Sequence, residues 1–248
     1  MIPIGDDNSG RRTTPIVNWL LIAANVFAFV FLQGLGSNEK FTLAYAIVPY
    51  EIVTGQDVAR PIPIRDEYGR IAGTIDLQPT PIPVFLTLVT SKFLHGGIAH
   101  LGGNMLYLYI FGDNVEDAMG HVRYLVFYLL TGVIAGLSHV LTTVVLKSGL
   151  LMPSLGASGA ISGVLAGYLV LFPRQRVRVL WFYSVVDVPA IAAIGIWFLF
   201  QLVSGVGMLG GEQAGVAYGA HIGGFVAGLL LVRLFTPRAG PSPGQYVV

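Results

Sequence analysis

The 248 residues are 54% hydrophobic and only 11% charged, with a mean hydropathy of +0.72, which excludes an ordinary soluble domain and indicates a polytopic membrane protein. A net charge of +1 without a long basic run excludes nucleic acid as a partner, because that binding depends on neutralising phosphates. With no cysteine in the chain, disulfides, thiolate nucleophiles and cysteine-ligated metals are excluded as well.

Residues 1–14 carry Asp6, Asp7, Arg11 and Arg12 and precede an apolar stretch too long for the core of a signal peptide, so that stretch reads as a retained helix. The absence of an arginine-rich, acid-poor leader points to a bacterial-type cell membrane. A transmembrane helix needs about 20 apolar residues, and six stretches qualify: Pro15 to Gln33, Ile98 to Asp113, His121 to Leu146, Ser154 to Phe172, Val188 to Leu209 and Gly215 to Phe235. The second is short and polar at both ends. The expected fold is an all-α six-helix membrane bundle over residues 15–235, with tails at 1–14 and 236–248 and a long first outer loop at 34–97.

Six spans put both termini on one side, and the basic residues choose the cytoplasmic side. Arg11, Arg12, Arg123, Arg174, Arg176, Arg178, Arg233 and Arg238 then lie inside. Five of the six basic residues outside sit in the long loop, which translocates regardless of charge. The arginines at 174–178 are read as this topology signal. Within the loop, alternation from Ile64 to Leu77 around Tyr68-Gly69 suggests a hairpin. The apolar piece from Pro83 to Leu94 is too short to span and reads as interfacial or re-entrant.

In this topology the second, fourth and sixth spans run from outside to inside, and His100, Asn104, Ser158 and His221 fall within about two turns of their starts. Gly159, Gly163 and Gly167 on the fourth span, and Gly215, Gly219 and Gly223 alongside Ala220, Gly224 and Gly228 on the sixth, allow close backbone approach in lipid. These two spans are expected to pack face to face, carrying His221 toward Ser158. A lone intramembrane serine often bonds only to its own backbone, and a lone asparagine often bridges helices, but an ionisable histidine in lipid is a functional signal. His95 and His121 lie near membrane edges, and His139 could serve as a structural partner.

Together the four residues read as a serine nucleophile with a histidine base. Asn104, His100 and the Ser158 N–H are candidate oxyanion donors. No acidic residue shares their depth, so a third triad member is not expected. The run is Gly156-Ala157-Ser158-Gly159-Ala160 and does not match the soluble hydrolase elbow.

Gly156-Ala157-Ser158-Gly159, the His100-x-x-x-Asn104 pair preceded by His95, and Ala220-His221-Ile222-Gly223-Gly224 resemble the motifs of rhomboid intramembrane serine proteases. The resemblance implies a catalytic dyad of Ser158 and His221, with His100 and Asn104 binding the oxyanion. It further implies endoproteolysis of transmembrane segments near the outer leaflet, with membrane-protein substrates and lipid as partners and no metal or organic cofactor. Two features depart from the pattern: a first-loop Trp-Arg pair is absent, and Ser162 stands where an aromatic residue often braces the histidine. A polar transport path and an inactive, client-binding relative are the alternatives. Water access is expected to be gated by the fifth span or by the short loop Gly210 to Ala214.

Overall fold

The computed structural model describes residues 2–65, 68–209 and 217–237. In chain order the elements are strand β1 (Ile2–Asp6), helix α1 (Ile16–Phe27) continued by a π-helical turn (Ala28–Leu32), α2 (Glu39–Tyr45), α3 (Pro49–Thr54), β2 (Ile62–Arg65), β3 (Ile71–Ile75), α4 (Thr87–Thr90), α5 (Ile98–Met119), α6 (His121–Leu146), α7 (Ser158–Leu171), β4 (Arg176–Trp181), β5 (Ser184–Pro189), α8 (Ala190–Leu209) and α9 (Tyr218–Phe235). Among the described residues, α6 and α9 are each long and apolar enough to cross a membrane. The segment Val84–Phe93, bent 82° from α5, qualifies jointly with it, and Ile16–Leu32, Ser158–Leu171 and Ala190–Gly205 are shorter apolar helices.

The chain is mostly helical but not all-α. β1, β4 and β5 form an antiparallel three-stranded sheet, and β2–β3 make the expected hairpin in the first loop. The β4–β5 hairpin occupies ground that the sequence reading left to a loop and to the start of the fifth span. Its signal was a period-two pattern: Val177 and Val179 are fully buried while Arg176 and Arg178 point outward. Val188 and Pro189 consequently end a strand, and α8 begins at Ala190.

α7 is the central rod. Every residue from Gly159 to Tyr168 is buried, as befits a helix apolar on all sides, and it touches α5, α6, α8 and α9. A Cβ added to Gly224 of α9 would overlap the Gly159 carbonyl oxygen, and one on Gly228 would overlap that of Gly163. The expected contact between the fourth and sixth spans is therefore present. The α7 glycines themselves face α6: side chains added at 159, 163 and 167 would meet Ala135, Thr131 and Phe127. Gly219 and Gly223 likewise face Thr142 and Ser138 of α6, so three helices interlock.

α5 continues past Asp113 to Met119 because its acidic end is occupied by the N-terminal segment. The Glu116 carboxylate accepts from the Val17 and Asn18 N–H groups at 3.0 and 2.7 Å, satisfying two orphan donors at the start of α1. Arg11 meets Asp113 at 2.6 Å, and Asp117 accepts from the Arg12 and Thr13 amides. Asp6, the last residue of β1, accepts from Asn114 Nδ2 at 2.6 Å and from the Tyr168 hydroxyl at 2.7 Å. In the first loop, buried Glu51 accepts from the Val58 N–H at 3.0 Å; loss of hydration holds its carboxyl above the usual range.

Burial pushes the Asp6 carboxyl up to about 7, with Asp113 and Asp7 acting in the same direction against the Tyr168 bond and Arg11. The anchored carboxyl is thus the weaker acid, and the anchored state loses stability as pH climbs from the ordinary value of 3.8 to about 7, levelling off above it. Proteolytic release of the N-terminal segment should accelerate between about pH 4 and pH 7, and Asp6→Asn should flatten that dependence.

Gly224→Val should cost about 3 kcal/mol or more, since even its Cβ strikes backbone. Gly195→Ala, where an added Cβ meets nothing within 4 Å, should leave the melting temperature in detergent unchanged or raised.

Candidate active site

Ser158 is the first residue of α7, not a residue one turn inside it. Ahead of it, Ser154 pairs with Ile47 through two backbone bonds of 2.8 and 2.9 Å, the Gly156 N–H is held by the Ser91 carbonyl at 2.9 Å, and Ala157 already has helical φ and ψ. Gly156 has φ +123°, and a Cβ there would lie 2.9 Å from the His100 ring. Glycine is therefore needed both for the backbone turn and for the space. At 14 residues, α7 is roughly 21 Å long, shorter than the roughly 30 Å hydrocarbon core. A helix of that length reaching one face of a bilayer starts below the other face.

His221 lies in the first turn of α9. Its Nε2 is 2.8 Å from Ser158 Oγ and its Nδ1 is 2.7 Å from Gln201 Oε1. Ser158 and His221 are half-buried and Gln201 is 6% exposed. The groups bonded to the imidazole are thus an alcohol and a carboxamide. Gln201, on α8, was missed from the sequence, although an amide within the run Ile191 to Val203 is a polar group in an otherwise apolar span. Ser162 donates to the Ser158 carbonyl at 2.7 Å and gives the histidine no ring to rest on. The aromatic neighbours of His221 are Trp197, with ring centroids 6.1 Å apart, and Tyr218, edge-on at 6.3 Å.

His100 lies against Gly156, on the side where Ser158 Oγ is also near, and its Nδ1 accepts from the Gly96 N–H at 3.2 Å. Asn104 is buried, and its Nδ2 has no hydrogen-bond partner among the described residues. His95 is 1% exposed, with its ring 5.1 Å from that of His100 and both ring nitrogens without a hydrogen-bond partner among the described residues. His121 pairs with Glu116 at 2.5 Å, away from the serine. The arrangement brings Ser158 and His221 into direct contact, sets His100 beside the turn that precedes the serine, and leaves the Asn104 amide with N–H groups to offer. The Gly210 to Ala214 loop lies outside the described residues. No cluster of three or more His, Cys, Asp or Glu side chains suited to a metal ion occurs among the described residues.

Comparison with known families matches residues 84–238 to the Rhomboid domain. The chain belongs to the rhomboid family. Its similar proteins include RHOMBOID-like protein 4 of Arabidopsis thaliana, 33% identical over 155 residues, which are 62% of this chain and 35% of that protein. Rhomboid protein 1, mitochondrial, of Saccharomyces cerevisiae is 29% identical over 161 residues, 62% of this chain and 43% of that protein. Presenilin-associated rhomboid-like protein A, mitochondrial, of Danio rerio is 36% identical over 95 residues, 38% of this chain and 24% of that protein. The chain spans less than half the length of each of these relatives. Membership makes this a membrane-embedded rhomboid domain, with the bilayer as its solvent.

Proposed function

We propose that this rhomboid is an intramembrane serine endopeptidase, with Ser158 as nucleophile and His221 as general base. The observation that carries the reading is the 2.8 Å contact between His221 Nε2 and Ser158 Oγ, which lies within the reach that proton transfer demands. Attack of Oγ on a substrate carbonyl transfers the hydroxyl proton to Nε2. The imidazolium then protonates the departing amine, leaving an acyl-enzyme that water hydrolyses by the same proton route in reverse. The tetrahedral oxyanion requires fixed donors, each worth about 2.7 to 4 kcal/mol. The unpartnered Asn104 Nδ2, His100 and the N–H groups at the start of α7 are assigned that task.

The membrane reading counts six spans: α1 with its π-turn, α5, α6, α7, α8 and α9. Two groupings support alternate crossings. The N-terminal strand joins the hairpin after α7, while the first loop joins the connection before α7 at Ile47 and Ser154. With termini in the cytoplasm of a bacterial-type cell, the site lies beneath the outer leaflet of the cell membrane. Substrates are then transmembrane segments of other proteins, cut near their outer ends.

A substrate helix hides its carbonyls in its own hydrogen bonds, and hydrocarbon offers no replacement, so it must unwind locally before attack. Purified protein in detergent should cleave model substrates with Gly or Pro near the outer helix end faster than all-Leu versions. Equal cleavage would count against the unwinding requirement. Ser158→Ala should abolish cleavage and labelling by a fluorophosphonate while preserving the melting temperature. Residual proteolysis in that variant would remove Ser158 as nucleophile, and client binding without cleavage by the unmutated protein would favour an inactive, binding-only rhomboid.

A further inference from the structure

We infer that Gln201 is a positioning residue that locks the His221 ring in the one neutral tautomer able to take the Ser158 proton. The inference rests on the proteolytic reading of Ser158 and His221 and extends it to α8. Among the described residues the two ring nitrogens have one partner each, Gln201 Oε1 at 2.7 Å on Nδ1 and Ser158 Oγ at 2.8 Å on Nε2. A carboxamide oxygen only accepts. Nδ1 must therefore carry the proton, and a neutral imidazole with Nδ1–H presents an Nε2 lone pair to the hydroxyl. The opposite tautomer would place an N–H against Oγ and could not serve as base.

A glutamine suits this location better than an acid would. Gln201 is buried on an apolar helix, where an ionised carboxylate would be costly. The amide orients the ring without a net charge; the transient imidazolium then gains less stabilisation than a carboxylate would give it. Trp197 stands four residues earlier on α8, hence on the same helix face, with its ring tilted 37° to His221 at 6.1 Å. Ser162, occupied with the Ser158 carbonyl, offers no such support from α7. Ring orientation is thus held from α8 by one hydrogen bond and one aromatic neighbour, and it depends on α8 remaining seated against α9.

The test uses the full chain in detergent micelles with a model transmembrane substrate and a fluorophosphonate probe. Gln201→Leu keeps the volume and removes the acceptor. It should lower kcat about 10- to 100-fold, the range that follows when a metal-bound histidine loses its orienting partner, with KM little changed and slower Ser158 labelling. Gln201→Glu, which restores an acceptor, should recover most of the rate. Nitrogen-15 spectra of histidine-labelled protein, with the His221 signals assigned by their loss in His221→Ala, should show Nδ1 protonated in the unmutated protein. The same spectra of Gln201→Leu should show a mixture of tautomers. An unchanged kcat in Gln201→Leu, with Ser158→Ala inactive, overturns the role of Gln201 and leaves the dyad intact. Activity surviving Ser158→Ala overturns the underlying site. If Gln201→Leu fails to fold, the unmutated spectrum decides, since protonation at Nε2 refutes the proposal.

Discussion

The backbone approach of α7 and α9 governs everything built at the site. Gly224 and Gly228 rest on the carbonyl oxygens of Gly159 and Gly163, and these contacts lie immediately below the two side chains that meet. Ser158 precedes Gly159, and His221 stands one turn before Gly224, so the register that fits glycine to carbonyl also sets Nε2 against Oγ. Burying apolar surface gives little drive to helix association in lipid, and close packing supplies it instead. The same atoms therefore serve cohesion and alignment. A helix shifted by one residue along its axis would move about 1.5 Å, enough to lose the hydrogen bond.

Depth follows from a second constraint, the shortness of α7. Its start is fixed by the Ile47 and Ser154 pairing and by the turn at Gly156. The N–H groups that a helix start leaves without intrahelical acceptors fall beside the serine. An unsatisfied amide in hydrocarbon is costly, but the same amide beside a developing oxyanion is useful. The Asn104 amide, without a hydrogen-bond partner among the described residues, and the exposed His100 ring are the further polar groups that the proposed proteolysis would draw on.

Much of this was legible in the sequence because the constraints act on residue types at short spacing. Glycines and alanines at steps of three and four identify the packing of α7 on α9, and histidines in apolar runs stand out against the cost of burying them. What stayed hidden depends on long-range partners. The charged end of α5 looked like the end of a span because nothing local shows that Arg11, Asn18 and Thr13 will cover Asp113, Glu116 and Asp117. The β4–β5 hairpin is masked by its arginines, since the same residues that alternate with buried Val177 and Val179 also read as a basic topology signal. Gln201 carries no motif at all; only the fold shows that its amide ends on His221, twenty residues further along the chain.

The three-stranded sheet gives α8 a defined base. The Ala190 N–H donates to the Gln175 carbonyl at 2.9 Å and the Ile191 N–H to that of Pro173 at 3.1 Å, so the helix leaves the hairpin in a fixed direction. That hairpin is clamped in turn by β1, whose Asp6 is bonded to α5 through Asn114 and to α7 through Tyr168. Gln201 lies eleven residues beyond the helix start, roughly 16 Å along the axis, far enough for a small tilt at the base to become a displacement of more than an ångström at the amide. A hydrogen bond tolerates little of that. Ring orientation at the serine is therefore mechanically continuous with the N-terminal strand on the opposite side of the bundle, through the chain β1, β4, β5 and α8.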